Sequence, residues 1–330
     1  MFQTKDIAVV ILNWNGKALL EQFLPSVIEF SEDALIYIAD NASTDHSIDF
    51  IATNYPSIKI IKNDTNGGYA KGYNDALKHV EAPLLCLLNS DIEVTERWLQ
   101  PIISEYNSDK TTAIIQPKIL DYKNKSKFEY AGAAGGFIDK YGFPYCRGRI
   151  FDTVEEDHAQ YNDEITVFWA SGACFFIKNE VFKDLKGFDD SYFAHMEEID
   201  LCWRAFNKNY KTKYVGTSTV FHVGGATLNS TNPQKTYLNF RNNLFTLLKN
   251  VDSNVLSIIL VRMLLDGIAA IRFLFQLKLA FFFAILKAHF SFYVNLPRLI
   301  KQRKHLPKRS GYYQKKSIVW SYFIKKQVQF

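Results

Sequence analysis

Three carboxylates crowd one short stretch, FAHMEEIDLCWR (residues 193–204), where Glu197, Glu198 and Asp200 stand beside the apolar Phe193, Ile199, Leu201 and Trp203. Neighbouring acids raise one another's affinity for a proton, which suits a carboxylate that must accept one near neutral pH. A second acidic group, Asn89-Ser90-Asp91, comes straight after LLCLL. A carboxylate at the end of a buried strand has to be paired, hydrogen-bonded or bound to a cation. The structural alternative is a helix N-cap for the segment starting near Thr95. Asp40, in ADNASTDHS, follows another apolar run, and in NGGYAKGYN (66–74) glycines could bare N–H groups to a phosphate beside Lys71. Ordinary turns explain each of these singly. Two acidic tips at adjacent strand ends, joined by the glycine loop, read as a nucleotide pocket. His222, in FHVGGAT, precedes two glycines that let other groups approach. With Asp91 and a diphosphate it would complete an oxygen-and-nitrogen ligand set typical of Mn²⁺ or Mg²⁺. The glycine loop is neither a Walker loop nor G-x-G-x-x-G, which argues against a P-loop ATPase and a dinucleotide-binding dehydrogenase.

These residues need elements to hold them. Apolar runs alternate with amphipathic ones: DIAVVIL then KALLEQFLPSVIEF, LIYIA then SIDFIATNY, IKIIK then KGYNDALKHV, LLCLL then ERWLQPIISEY. That alternation predicts an α/β fold with a mostly parallel sheet covered on both faces. Ligands of such sheets sit beyond the carboxyl ends of the strands, where Asn13-Trp14-Asn15-Gly16, Asp40, Asn66 and Asn89-Ser90-Asp91 fall. Residues 120–165 lose the pattern and read as a mobile, irregular excursion with short strands. TVFWASGACFFIK reads as one strand, followed by a helix starting near Glu197 and by KTKYVG and STVFHVGGAT.

The 330 residues carry a net charge of +5, with 48% hydrophobic and 22% charged content. The charge is divided. Residues 251–330 hold fourteen Lys/Arg against only Asp252 and Asp266, whereas residues 1–250 hold twenty-five against thirty-two acids. The organisation expected is therefore a catalytic body over 1–250 and a basic, apolar helical tail over 251–330. A nucleic-acid binder would carry its cations on the folded reading surface, so nucleic acid is not the expected partner. In the segment 253–296 the longest uncharged run falls far short of the ~20 apolar residues that span a bilayer. On a wheel of ~100° per residue, Arg262, Asp266, Arg272 and Lys287 share one arc and only Lys278 lies opposite. That pattern predicts helices lying in an anionic membrane interface, with RLIKQRKHLPKR adding attraction. A helical pair packed on the body, or a homodimer contact, is the alternative. Cys86, Cys146, Cys174 and Cys202 have no C-x-x-C spacing and no secretory leader ahead of them, which fits reduced thiols in the cytosol.

Taken together, VVILNWNG, IADNASTDHS, NGGYAKGYN, LLNSDIEV, WASGACFFIK, GFDDSYFAHMEEIDLCWR and FHVGGAT resemble the family 2 glycosyltransferases of the GT-A fold, in the non-processive, rhamnosyltransferase-like branch of bacterial surface polysaccharide synthesis. The resemblance covers about residues 5 to 245. It implies inverting transfer of one sugar from a UDP- or dTDP-sugar to a hydroxyl of a glycan or lipid-linked glycan, on the cytoplasmic face of the membrane. Asn13 and Trp14 would line the base and Asp40 would bond its ring, with Asn66, Gly68 and Lys71 near the nucleotide. Asn89-Ser90-Asp91 takes the place of the family's D-x-D, with Asp91 as metal ligand and Asn89 in place of the first carboxylate. His222 matches a position that ligates metal in some relatives. Glu198 aligns with the general base, with Glu197 in reserve. Asp200 serves as an orienting carboxylate on the acceptor and diphosphate side, together with Trp169, Gly172 and Arg241. The chain lacks the Q-x-x-R-W of processive synthases, which fits single-sugar addition. The rival readings are a catalytically inactive glycan-binding or scaffold subunit and a sugar nucleotidyltransferase.

Overall fold

In the computed structural model, residues 1–224 and 232–330 are described, so the end of FHVGGAT and the residues after it, 225–231, lie outside the described part. The chain begins β1 (Ile7–Asn13), α1 (Lys17–Phe30), β2 (Leu35–Asp40), α2 (Ser47–Asn54), β3 (Lys59–Lys62), α3 (Gly68–Ala76) and β4 (Leu84–Asn89). This is the strand and helix alternation that the sequence predicts. β5 (Ile92–Val94), α4 (Leu99–Ser108) and β6 (Thr112–Asp121) follow. β1 to β4 pair in parallel in the order β3-β2-β1-β4. Successive side chains of a strand point to opposite faces. Ile7, Val9 and Ile11 of β1 accordingly enter one core with Leu20, Leu24 and Ile102, while Ala8 and Val10 enter the other with Tyr73.

Residues 120–165 are a built layer. β7 (Gly136–Ile138), β8 (Pro144–Cys146), β9 (Arg149–Ile150) and β10 (Thr153–Val154) form a second, antiparallel sheet, and Phe128, Phe137, Tyr145 and Ile150 are buried there. Its strands of two and three residues are too short to show a period. TVFWASGACFFIK is likewise two strands, β11 (Glu164–Val167) and β12 (Cys174–Lys178), because Trp169 bridges Gly136 of the small sheet and pulls the chain out of line. α5 (Asn179–Asp184), α6 (Glu197–Asn207) and β13 (Lys211–His222) complete the body. β12 runs antiparallel between β4 and β6, and β13 pairs in parallel with β6 across a register shift between Val215 and Thr219. The ends of β1, β2, β4 and β13 and the start of β12 therefore meet on one edge.

The tail is helical: α7 (Pro233–Asn250), α8 (Val255–Phe275) and α9 (Leu279–His305). Its orientation differs from that expected in one respect. Arg262 and Asp266, on the polar arc of α8, face the body and are buried, with Arg262 Nε 2.7 Å from Asp266 Oδ1 and the guanidinium also on Asn243. The wheel identifies a polar arc without saying what meets it; here its Arg262–Asp266 part meets protein, while Arg272 and Lys287 are exposed. Leu256, Leu264, Ile268, Phe283 and Phe290 point outward, each at least 60% exposed. The break at Gln276–Lys278 also puts Lys278 at the turn between helices, so a single wheel does not run across both. Several of the basic residues meant for lipid are engaged by the body: Arg303 donates to the carbonyls of Leu248 and Val251 at 2.9 and 2.5 Å, and Arg298 lies 3.6 Å from Asp189. The chain end then returns to the small sheet, where Tyr312 Oη donates to Lys140 O at 2.7 Å and Ile318 N to Asp139 Oδ2 at 2.9 Å. By length and composition α9 is apolar enough to cross a membrane, which the count of uncharged runs does not show; 22% of its most apolar stretch is buried against protein.

Leaving a buried ion without its partner costs about 3–5 kcal/mol. Asp266→Ala should lower unfolding free energy by about that much, whereas truncating the outward Leu264 should change it by no more than about 0.5 kcal/mol. Urea unfolding of the two variants measures the difference, and equal losses would contradict this helix orientation.

Candidate active site

The carboxyl edge of the parallel strands carries a hydrogen-bonded cluster of amides and acids. Asn13, fully buried at the end of β1, donates through Nδ2 to Asp40 Oδ1 at 3.1 Å, Ser43 Oγ at 3.1 Å and Ser47 Oγ at 2.9 Å, while its Oδ1 has no partner. Asp40 also accepts from Ser43 N at 3.1 Å. Asn41, not singled out from the sequence, donates to Asn66 Oδ1 at 2.9 Å and to Gly68 O at 3.0 Å, binding the two loops together. Trp14 stands 49% exposed at the rim. Ser90 Oγ would lie 3.7 Å from a Cβ at Gly16, so the tips of β1 and β4 are neighbours.

The glycine loop serves a different purpose from the phosphate cradle expected. Its backbone donors are taken by protein: Gly68 N bonds Asn66 Oδ1 at 2.9 Å, and Tyr69 N bonds Phe193 O at 2.7 Å. Gly68 has φ +77°, and a Cβ there would stand 2.4 Å from Phe193 O. Glycine is needed so that the loop before α6 can dock on the start of α3. Lys71 pairs with Asp75 one turn along the same helix.

Asp91 and His222 come together across β5 and β13, where His222 pairs with Ile92 and Val223 N donates to Asp91 O at 3.1 Å. His222 Nε2 lies 3.2 Å from Asp91 Oδ1, and both side chains are buried. Burial alone would disfavour an imidazolium, but the carboxylates of Asp91 and Glu129 outweigh it and push the histidine up to about 10. Among the described residues no cage of three or more ligating side chains forms. Asp91 and His222 offer one oxygen and one nitrogen donor side by side, and would hold a divalent cation if it displaced the proton between them.

On the other side of the edge stands α6. Three residues ahead of it, Phe193, His195 and Met196, have φ of 66°, 69° and 72°. Each costs on the order of 1–3 kcal/mol, so surrounding bonds must enforce them. Asn242 does so, donating to the carbonyls of Tyr192, Ala194 and His195 at 3.1, 3.0 and 2.7 Å, and Arg241 adds bonds to Ser191 O and Tyr192 O at 2.9 and 3.0 Å. Arg241 thus holds the loop, and its guanidinium is taken up there. Glu197 is buried and Glu198 mostly so, and each keeps one buried carboxylate oxygen, Oε2, without a partner. Burial pushes Glu198 up to about 7, and Glu197 is raised by burial and by the charge of Glu198. Gly172 leaves room beside the pair: a Cβ there would be 3.8 Å from the Glu198 carboxyl carbon, and Tyr69 Oη donates to Gly172 O at 2.7 Å.

Two of the acceptor-side residues lie away from this opening. Trp169 is buried, with Nε1 donating to Phe137 O at 2.8 Å. Asp200 is completely buried, 2.8 Å from Arg204 Nε and 3.0 Å from Lys249 Nζ. Neither can touch a ligand, and the bonds of Asp200 tie α6 to α7.

A mostly parallel sheet with amides and acids along its carboxyl edge, interrupted by the antiparallel β12 and extended by β13, which runs with β6 and brings His222 to the same edge, has the α/β architecture of the GT-A class. Residues 8–186, more than half of the chain, match the family described as Glycosyl transferase family 2, and the chain belongs to it. It is a glycosyltransferase. It is 23% identical over 234 residues to the N-acetylglucosaminyl-diphospho-decaprenol L-rhamnosyltransferase of Mycobacterium tuberculosis, covering 66% of this chain and 76% of that protein. With a low-salt glycan biosynthesis hexosyltransferase of Haloferax volcanii it shares 22% identity, over 84% of this chain and 87% of the other. Among solved structures, a mannosyltransferase from Pyrobaculum calidifontis in complex with GDP-Man and Mn²⁺ superimposes with a TM-score of 0.55 at 12% identity, covering 87% of each chain. GalNAc-T7 with UDP, GalNAc and Mn²⁺ gives 0.59 at 17% identity, over 75% of this chain but 48% of that one.

Proposed function

We propose that this glycosyltransferase moves one sugar from a UDP- or dTDP-sugar to a hydroxyl of a glycan or lipid-linked glycan, with inversion, at the cytoplasmic face of a membrane. The observation that carries the proposal is the Glu198 carboxyl, lifted to about 7 by burial and with one oxygen unpartnered, beside the sheet edge that carries the Asp91–His222 pair. Glu198 takes the acceptor proton as the hydroxyl attacks; a carboxylate of that basicity is about half ionised at pH 7 and, once ionised, a competent base. Glu197, more deeply buried and raised by the charge of Glu198, keeps its own proton as Glu198 ionises, so the two carboxyls do not carry two charges at once. Trp14, Asn13 and Asp40 hold the base of the nucleotide, and Asn89, Ser90 and Asn66 stand at its sugar and phosphate side. Asp91 and His222 would hold a Mn²⁺ or Mg²⁺ ion, which supplies positive charge against the departing diphosphate. Solved GT-A neighbours contain Mn²⁺, and the mycobacterial relative is named for a diphospho-lipid substrate, both of which support the reading. Residues 1–250 form the catalytic unit in this proposal and residues 251–330 attach it to the membrane.

Attachment is through the outward face of α8 and α9. Arg272, Lys278, Lys287, Lys301 and Lys304 surround it, and the one acid within these helices, Asp266, is sealed inside. A face with cations only attracts anionic headgroups and would repel a second copy of itself, so a bilayer is favoured over a homodimer.

Glu198→Gln should bind the nucleotide-sugar as the parent does and lose transfer by 10²-fold or more, to order of magnitude. Asp91→Ala should abolish the divalent-ion dependence of diphosphate release. Turnover at the parental rate in a folded Glu198→Gln protein would remove the base assignment and leave a binding or scaffold role open. Flotation with anionic and neutral vesicles tests the location. The full chain should rise with anionic vesicles in a salt-sensitive way, and the Leu264→Glu, Phe290→Glu double variant should stay behind. Equal flotation of both proteins would refute the surface.

A further inference from the structure

The far side of His222 has a partner with no role in the site so far. Glu129 stands in the segment after β6, fixed by its own N–H to Ile119 O at 3.0 Å, and its Oε2 accepts from Ala131 N at 2.5 Å. Its other oxygen, Oε1, lies 3.4 Å from His222 Nδ1, while Nε2 faces Asp91. The imidazole is thus held between two carboxylates, one on each ring nitrogen. Glu129 and His222 are 6% and 5% exposed, so no water layer shares the contact. Gly224 has φ +69°, and a Cβ there would come 3.0 Å from Glu129 Oε1, so the chain after β13 keeps this space clear. At 3.4 Å the contact is of ion-pair length, and Nδ1 lacks a hydrogen bond's alignment.

We infer that Glu129 is a positioning residue for His222: it holds Nδ1–H so that the lone pair of Nε2 is aimed at the ion shared with Asp91. This rests on the metal reading above. An imidazole that ligates through one nitrogen needs the other fixed as a donor, and a buried carboxylate there sets both tautomer and ring angle. Glu129 is not a third ligand to the same ion, because it meets the nitrogen on the opposite side of the ring. The arrangement also gives the irregular 120–165 segment a part in the chemistry, since it delivers Glu129 to the end of β13.

Titration of the full-length protein with Mn²⁺ alone, read by the electron paramagnetic resonance of free ion, tests the inference. His222→Ala and Asp91→Ala report on the metal reading itself. Glu129→Ala should weaken Mn²⁺ binding by about 10–100-fold. Glu129→Gln, which keeps a carbonyl acceptor for Nδ1–H, should stay within about threefold of the parent. Thermal midpoints of both variants check folding. Normal affinity in Glu129→Ala, with loss in His222→Ala, would overturn the positioning role while leaving the metal site standing. Equal losses in the Gln and Ala variants would also overturn it, since orientation would then not be what Glu129 provides. Failure of the parent to bind, or indifference to His222→Ala, would overturn the metal reading and this inference together.

Discussion

The site depends on one buried ion cluster. Asp200, on α6 and without solvent exposure, is met by Arg204 at 2.8 Å, Lys249 at 3.0 Å and Asn250 Nδ2 at 2.8 Å, and Lys249 reaches on to Asp189 at 2.8 Å. Burial works against the Asp200 carboxylate, but the two cations outweigh it and hold it below its ordinary range. Replacing such a cluster by apolar side chains costs little; breaking it costs about 3–5 kcal/mol, because a charge is stranded. It acts as a bolt between α6 and α7. Arg204 extends the bolt to Leu185 O and Gly187 O, and Tyr192 joins through Thr246 Oγ1 at 2.7 Å.

Once α6 is fixed against α7, the strained loop in front of it follows. Asn242 and Arg241 project from the same face of α7 and capture the carbonyls of residues 191–195, and Phe193 O then caps the start of α3. At ~100° per residue, Asp200 sits about 60° from Glu197 and about 160° from Glu198 around the helix. Glu197 is therefore drawn inward with the cluster, and Glu198 is turned toward the opening beside Gly172. The crowding of three acids in FAHMEEIDLCWR resolves into three environments: one paired, one buried and neutralised, one facing the cleft.

Much of this was legible in the sequence, and the remainder was not for identifiable reasons. Apolar runs placed β1, β2 and β4, and with them Asn13, Asp40 and Asp91, because a parallel strand buried on both faces is a continuous apolar string. His222 was readable as a metal-type residue, but its contact with Asp91 depends on β13 folding back beside β5, a pairing across more than a hundred residues. The small sheet was hidden because its strands are held by long-range bonds such as Gly136 to Trp169 and not by any local period. Asp200 and Trp169 carried the right chemistry for a ligand, and only burial separates a support from a contact. NGGY carries the signature of a phosphate loop, yet the positive φ of Gly68 serves its close approach to Phe193 O, a contact no local pattern shows. On α8 the polar arc was correctly drawn and wrongly faced, since amphipathicity does not say which side meets protein. Glu129 left no signal, lying in a stretch without a pattern.

The proposed transfer turns on a carboxyl, Glu198, that the fold held by the Asp200 bolt leaves desolvated, so its proton affinity is the quantity to measure. With saturating donor and acceptor, the transfer rate should rise about tenfold per pH unit on the acid side and level off near the value of about 7 held by Glu198, because the proposed base acts only when ionised. A rate that stays level from about pH 5 to about pH 8 would contradict a base of that affinity, and with it the central claim.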